Sequence, residues 1–169
     1  MADGATRPET LVVGLGNPLL GDDGVGWLIV DELERRLSTA RPDGAAVEVD
    51  RLSVGGLRLM ERLLGYRRAV IVDATSSGEE PAGSVHLRHL VDLPDVSAGH
   101  LGSAHDASLQ TALGSARALG ASPPQDVLVL TVEAARVRTF TEDLTPAVAR
   151  AVAPAVDRLL ELCLEDGRA

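Results

Sequence analysis

Apolar residues arrive along this chain in two rhythms. The runs at 10–15 (TLVVGL), 69–73 (AVIVD) and 126–132 (DVLVLTV) are too short for helices and read as strands buried on both faces of a sheet. A further strand is predicted over 47–52, and the alternating stretch 84–90 (SVHLRHL) reads as another. Between them, apolar positions recur every three or four residues and predict helices over 23–37, 56–64, 104–119 and from 146 onward. The first helix is expected to bury Val25, Leu28, Ile29, Val30, Leu33 and Leu37. Ser103, with Asp106 three residues on, reads as a capping box for the third helix. Thr145 and Pro146 read as N-cap and first residue of the last helix, where Pro154 predicts a kink or a break.

Strands alternating with helices imply an α/β fold of three layers: a mostly parallel, twisted five-stranded sheet with helices on both faces. The connection at 74–83 is too short and polar for a helical crossover, so the fourth strand is expected to run antiparallel to its neighbour. In such a sheet, ligands bind in the crevice at the carboxyl ends of the strands.

Composition narrows the function. One domain over 1–169 is expected, with 1–8 as a flexible N-terminus. No apolar run reaches the ~18 residues of a membrane span, and the first nine residues lack the basic start and apolar centre of a signal peptide, so the expectation is a cytoplasmic protein without a membrane partner. With 16 basic residues against 25 acidic ones, a net charge of −9 and no basic patch, the chain is ill suited to nucleic acid. All 16 basic residues are Arg, which removes Schiff-base lysines, phosphate-loop lysines and Ser/Lys dyads. The lone Cys163 sits in an apolar helical pattern and reads as a buried thiol rather than a nucleophile.

Candidate chemistry gathers at strand ends. The segment GLGNPLLGDDGVG, Gly14 to Gly26, follows the first strand but puts Leu19 where a dinucleotide fingerprint needs its third Gly. Asp22 and Asp23 would also oppose a pyrophosphate at that helix start. Asp73 closes an apolar strand, and His105 opens the third helix. Asp23, Asp73 and His105 together would make a carboxylate-rich site suited to a borderline divalent ion such as zinc or nickel. Blander roles compete: Asp22 or Asp23 as cap of the first helix, Asp73 as cap of the turn at Thr75 and Ser76, and His105 as a solvated first-turn residue. His86 and His89 should face opposite sides of their strand and look structural, while His100 is the reserve ligand.

These residues resemble the hydrogenase maturation endopeptidases, which trim the C-terminus of the large subunit of [NiFe] hydrogenases. The likeness rests on GLGNPLLGDDGVG with the helix WLIVDELERR, on IVDAT around Asp73, on SAHDASL around His105, and on LTPAVARAV. It implies that Asp23, Asp73 and His105 contact the nickel already loaded into a hydrogenase large-subunit precursor, so that nickel comes with the substrate and no organic cofactor is needed. Where many relatives carry an Asp-Gly-Gly-Thr stretch after the second strand, this chain reads Arg51, Leu52, Ser53, Val54, retaining Gly56. The implied reaction is hydrolysis of one peptide bond. Either metal polarisation of the carbonyl or water, or general-base catalysis by Asp23 or Asp73, would supply the nucleophile. Two alternatives stand beside it. A peptidyl-tRNA hydrolase-like esterase shares GLGNP, yet that family continues with a Tyr and a Thr-Arg-His-Asn stretch absent here. A non-enzymatic nickel or maturation binding protein on the same fold would use the same ligands without turnover.

Overall fold

The computed structural model describes residues 9–40, 47–93 and 106–165. The elements run β1 (Thr10–Leu15), a 3-10 turn (Gly21–Gly24), α1 (Val25–Ala40), β2 (Val47–Leu52), α2 (Leu57–Leu63), β3 (Arg68–Thr75) and β4 (Val85–His89). A short 3-10 turn (Leu90–Asp92), α3 (Asp106–Ala118), β5 (Asp126–Glu133) and α4 (Pro146–Glu165) follow. The five strands lie in the order β2-β1-β3-β5-β4. β1 pairs in parallel with β2 and β3, and β3 with β5, whereas β4 runs antiparallel to β5. The short 74–83 connection thus has the expected consequence, with β5 rather than β3 as the neighbour.

Each sheet face carries its own core, because alternate residues of a strand point to opposite sides. Val12, Val70, Val72, Leu128 and Leu130 pack with Ile29 and Leu33 of α1 and Val148 and Leu159 of α4. Leu11, Val13, Ile71, Val127 and Val129 pack with Leu59 of α2 and Leu109 of α3. Cys163 is 1% exposed inside the first cluster, a core thiol as expected.

Three expectations about helices need correction. α1 begins at Val25, since residues 21–24 are held in a tighter 3-10 turn by contacts with the β5–α4 connection. Leu28 is 43% exposed, not buried. At 100° per residue the stripe from Val25 through Ile29, Leu33 and Leu37 to Val30 is centred about 130° from Leu28. Of the kink or break expected at Pro154, the break does not occur: α4 is continuous, with Arg150 and Pro154 both exposed. The 3-10 turn at Leu90–Asp92 is an element the apolar periodicity did not announce.

The connectivity places the site. β1 leads through α1 to β2 on one side, and β2 leads back through α2 to β3 on the other side of β1. The carboxyl ends of β1 and β3 therefore part at a topological switch point, where open α/β sheets form their binding crevice.

Candidate active site

Both predicted carboxylates stand at this switch point. β1 ends at Leu15, and the chain turns through Gly16 at φ +122° so closely that a Cβ there would lie 1.9 Å from the Asp23 carbonyl oxygen. Only glycine permits that fold-back, and it carries the 3-10 turn with Asp23 over the end of β1. The Asn17 amide donates to Asp23 Oδ2 at 2.7 Å, and the Ser53 hydroxyl beyond β2 donates to the Gly16 carbonyl at 2.8 Å. Gly26 allows α1 to sit directly on the strands: a Cβ there would lie 2.3 Å from the Leu15 carbonyl oxygen and 2.6 Å from that of Val72. The glycines of the first motif thus serve backbone packing, which explains why they occur without a dinucleotide fingerprint.

Asp73 lies inside β3, which continues two residues beyond its predicted end to Thr75 because the ladder with β5 persists to Glu133. It is 4% exposed, and its Oδ1 accepts the Ala74 amide at 2.9 Å within the strand. It projects to the α2/α3 side of the sheet, as Ala69 and Ile71 do. Along that side, register aligns Asp73 with Thr131 of β5 and Thr131 with His86 of β4.

Asp22 and Asp23 divide sharply. Asp22 is fully buried and does not cap α1. Its carboxylate accepts the amides of Ala135 (2.9 Å), Arg136 (2.9 Å) and Thr145 (2.7 Å), and the Thr145 hydroxyl at 2.9 Å. It thereby ties the 3-10 turn to the connection between β5 and α4. Asp23 is the less buried of the pair, half-buried at the Asn17 amide.

His105, with the reserve ligand His100 and the Ser103 cap, lies outside the described residues; α3 is described from Asp106 onward. Among the described residues no group of three His, Cys, Asp or Glu side chains gathers as a metal site. Asp23 and Asp73 each present a carboxylate oriented by a backbone amide. His86 and His89 do face opposite sides. His89 Nδ1 lies 3.0 Å from Asp126 Oδ1, whereas His86 shares the Asp73 side, with Nε2 4.0 Å from Glu80 Oε1.

One polar residue at this end escaped sequence reasoning. Glu133 closes the apolar strand DVLVLTVE and is 3% exposed. The rule that singled out Asp73, an acid at the carboxyl end of a buried strand, would have found it.

The family model for hydrogenase maturation proteases matches residues 28–162. The chain is 30% identical over 159 residues to the hydrogenase expression/formation protein HupD of Bradyrhizobium diazoefficiens, covering 93% of this chain and 79% of that protein. It is 28% identical over 157 residues to the hydrogenase 2 maturation protease of Escherichia coli, covering 93% and 92%. Its fold is similar to that of the hydrogenase maturating endopeptidase HybD from E. coli, with a TM-score of 0.76 and 26% identity over 94% of each chain. The peptidyl-tRNA hydrolase and non-enzymatic alternatives are not favoured by these likenesses. With two carboxylates at the switch point and a family match over most of its length, the chain is a peptidase belonging to the hydrogenase maturation protease family.

Proposed function

We propose that the protein is a cytoplasmic endopeptidase that removes a C-terminal peptide from the nickel-loaded precursor of a [NiFe] hydrogenase large subunit. The observation that carries this reading is the placement of Asp23 and Asp73 at the ends of the two adjacent strands that open the crevice, in a chain of this family. Among the described residues no helix is long and apolar enough to cross a membrane.

Asp23, Asp73 and His105 contact the nickel ion that the precursor carries. Two carboxylates and an imidazole suit a borderline divalent ion, and a partial donor set leaves room for the precursor's own ligands. The amides of Asn17 and Ala74 hold the carboxylates in place before substrate arrives, so little reorganisation is needed at the moment of reaction.

Hydrolysis adds one water oxygen to the scissile carbonyl carbon. The water proton passes to a carboxylate of Asp23 or Asp73; a nickel ion brought by the precursor would make that water more acidic and so favour the transfer. The C–N bond then breaks, the leaving nitrogen takes up a proton, and the products are the trimmed subunit with a new carboxylate and a short peptide with a new amine. Thiol catalysis does not compete, because Cys163 lies in the core between the sheet and α4.

The test is to mix the purified protein with nickel-loaded large-subunit precursor from the same source and follow the precursor's mass. The expected result is loss of a short C-terminal peptide that requires nickel and Asp23. An unchanged mass with loading confirmed would overturn the endopeptidase reading in favour of a metal or maturation binder.

A further inference from the structure

The acid that closes β5 has no part in the chemistry above. Register pairs Glu133 with Thr75, two residues beyond Asp73 on β3. Val127 and Val129 belong to the core beneath α2 and α3, so strand alternation places Glu133 on the same side of the sheet as Asp73. A buried carboxylate is costly unless its oxygens are satisfied, and those of Glu133 are: they accept the Ser77 hydroxyl at 2.9 Å and the Gly78 amide at 2.8 Å. Its backbone holds the other end of the same loop, with the Gly83 amide donating to the Glu133 carbonyl at 2.7 Å and the Glu133 amide donating to the Ser84 carbonyl at 2.9 Å. One residue thus clamps both the entry and the exit of loop 76–83.

The loop's course follows from these contacts. Ser77 and Gly78 rest on a side chain of the Asp73 side, and Glu80 comes to 4.0 Å from His86 Nε2 on β4, which shares the row of Thr131 and Asp73. The segment therefore crosses the end of the sheet from β3 towards β4, with Ser77, Gly78 and Glu80 on the Asp73 side and its exit at Gly83 against Ala147 of α4.

We propose that Glu133 is a positioning residue that sets loop 76–83 as a wall of the substrate cleft beside Asp73, against which the precursor's C-terminal peptide is laid. This rests on the endopeptidase reading. Glu133 itself touches no reacting atom, so its effect is expected on substrate binding rather than on the chemical step.

The experiment compares wild type, Glu133→Gln and Glu133→Ala in two measurements: amide hydrogen exchange of loop 76–83 in the free protein, and kcat and KM on nickel-loaded large-subunit precursor. Glu133→Ala is expected to raise exchange across the loop and to raise KM roughly tenfold with kcat within about twofold. Glu133→Gln keeps an acceptor for Gly78 and should stay close to wild type in both. A freed loop with unchanged KM would overturn the proposal, as would unchanged exchange, or a loss confined to kcat. If Glu133→Ala does not fold, Ser77→Ala, which removes one of the two side-chain bonds at an exposed position, should give the same pattern at smaller size, and its absence is equally decisive. If wild type leaves the precursor uncut, the endopeptidase reading fails by itself, while the exchange data still decide whether Glu133 anchors the loop.

Discussion

Two sides of one 3-10 turn do opposite work. On the side of the β5–α4 connection, Asp22 is sealed from solvent and all its bonds are internal. The same connection is zipped to the turn by the main chain, with Gly21 donating to Thr141 at 2.7 Å and Thr141 donating to Leu19 at 3.0 Å. On the crevice side, Asp23 stays half-buried and takes the Asn17 amide, above the strand that neighbours Asp73. Adjacent, chemically identical residues thus become a structural rivet and a half-buried carboxylate at the crevice. Burial and donor supply make the difference: a carboxylate saturated by three amides and a hydroxyl has no capacity left for a metal or a water.

That contrast can be broken from either side. The largest effect is expected at the crevice, where Asp23→Asn and Asp73→Asn should each lower precursor processing by at least about a hundredfold while melting close to wild type. Processing rates and thermal melts of the purified variants check this, and normal processing by a folded variant would remove that residue from the site. Asp22→Ala should reverse the pattern. Three amides and a hydroxyl lose their acceptor, so stability should fall by on the order of 3 kcal/mol, read by urea unfolding. Activity measured well below the new transition should survive in the fraction that remains folded.

The smallest effect belongs to charge pairs remote from both sides. Glu32 on α1 accepts bonds from Arg35 at 2.6 Å and Arg36 at 2.7 Å, and Arg36 in turn reaches Asp157 of α4 at 2.5 Å. Hydrogen bonds from Arg35 first, then Arg36, hold the Glu32 carboxyl down to about 2 from an ordinary 4.5. Because the folded-state value is lowered, its contribution is present above pH 4.5 and fades as pH falls towards 2. Glu32→Gln should therefore shift the melting temperature only slightly at pH 7, as exposed pairs do, and not at all near pH 2. A large shift at pH 7 would mean that the α1–α4 seam depends on this cluster.

Much of the framework was legible before any coordinates. β1 falls on its predicted residues because an apolar run closed by Gly16 and Asn17 admits few other conformations, and β2 also falls on its predicted residues. Leu28 and Pro154 show the limit of that reasoning. A helical wheel gives the buried stripe but not its edges, and an interior proline does not always end a helix. Asp73 was visible because it closes an apolar run, and Asp22 and Asp23 because two acids stand together where the first helix begins.

The order of strands lay beyond local pattern, and with it the crevice itself. Only the crossing of the chain from β2 over β1 to β3 makes Asp23 and Asp73 neighbours across a switch point. Likewise, nothing near Asp22 in sequence reveals that its partners are more than a hundred residues away at Ala135, Arg136 and Thr145. The sequence by itself determined the elements, the fold class and the short set of acids able to carry chemistry, because propensity and periodicity act over a few residues. The division of labour among those acids was decided by tertiary structure, because the burial and hydrogen-bond supply of a carboxylate depend on which distant backbone amides arrive beside it.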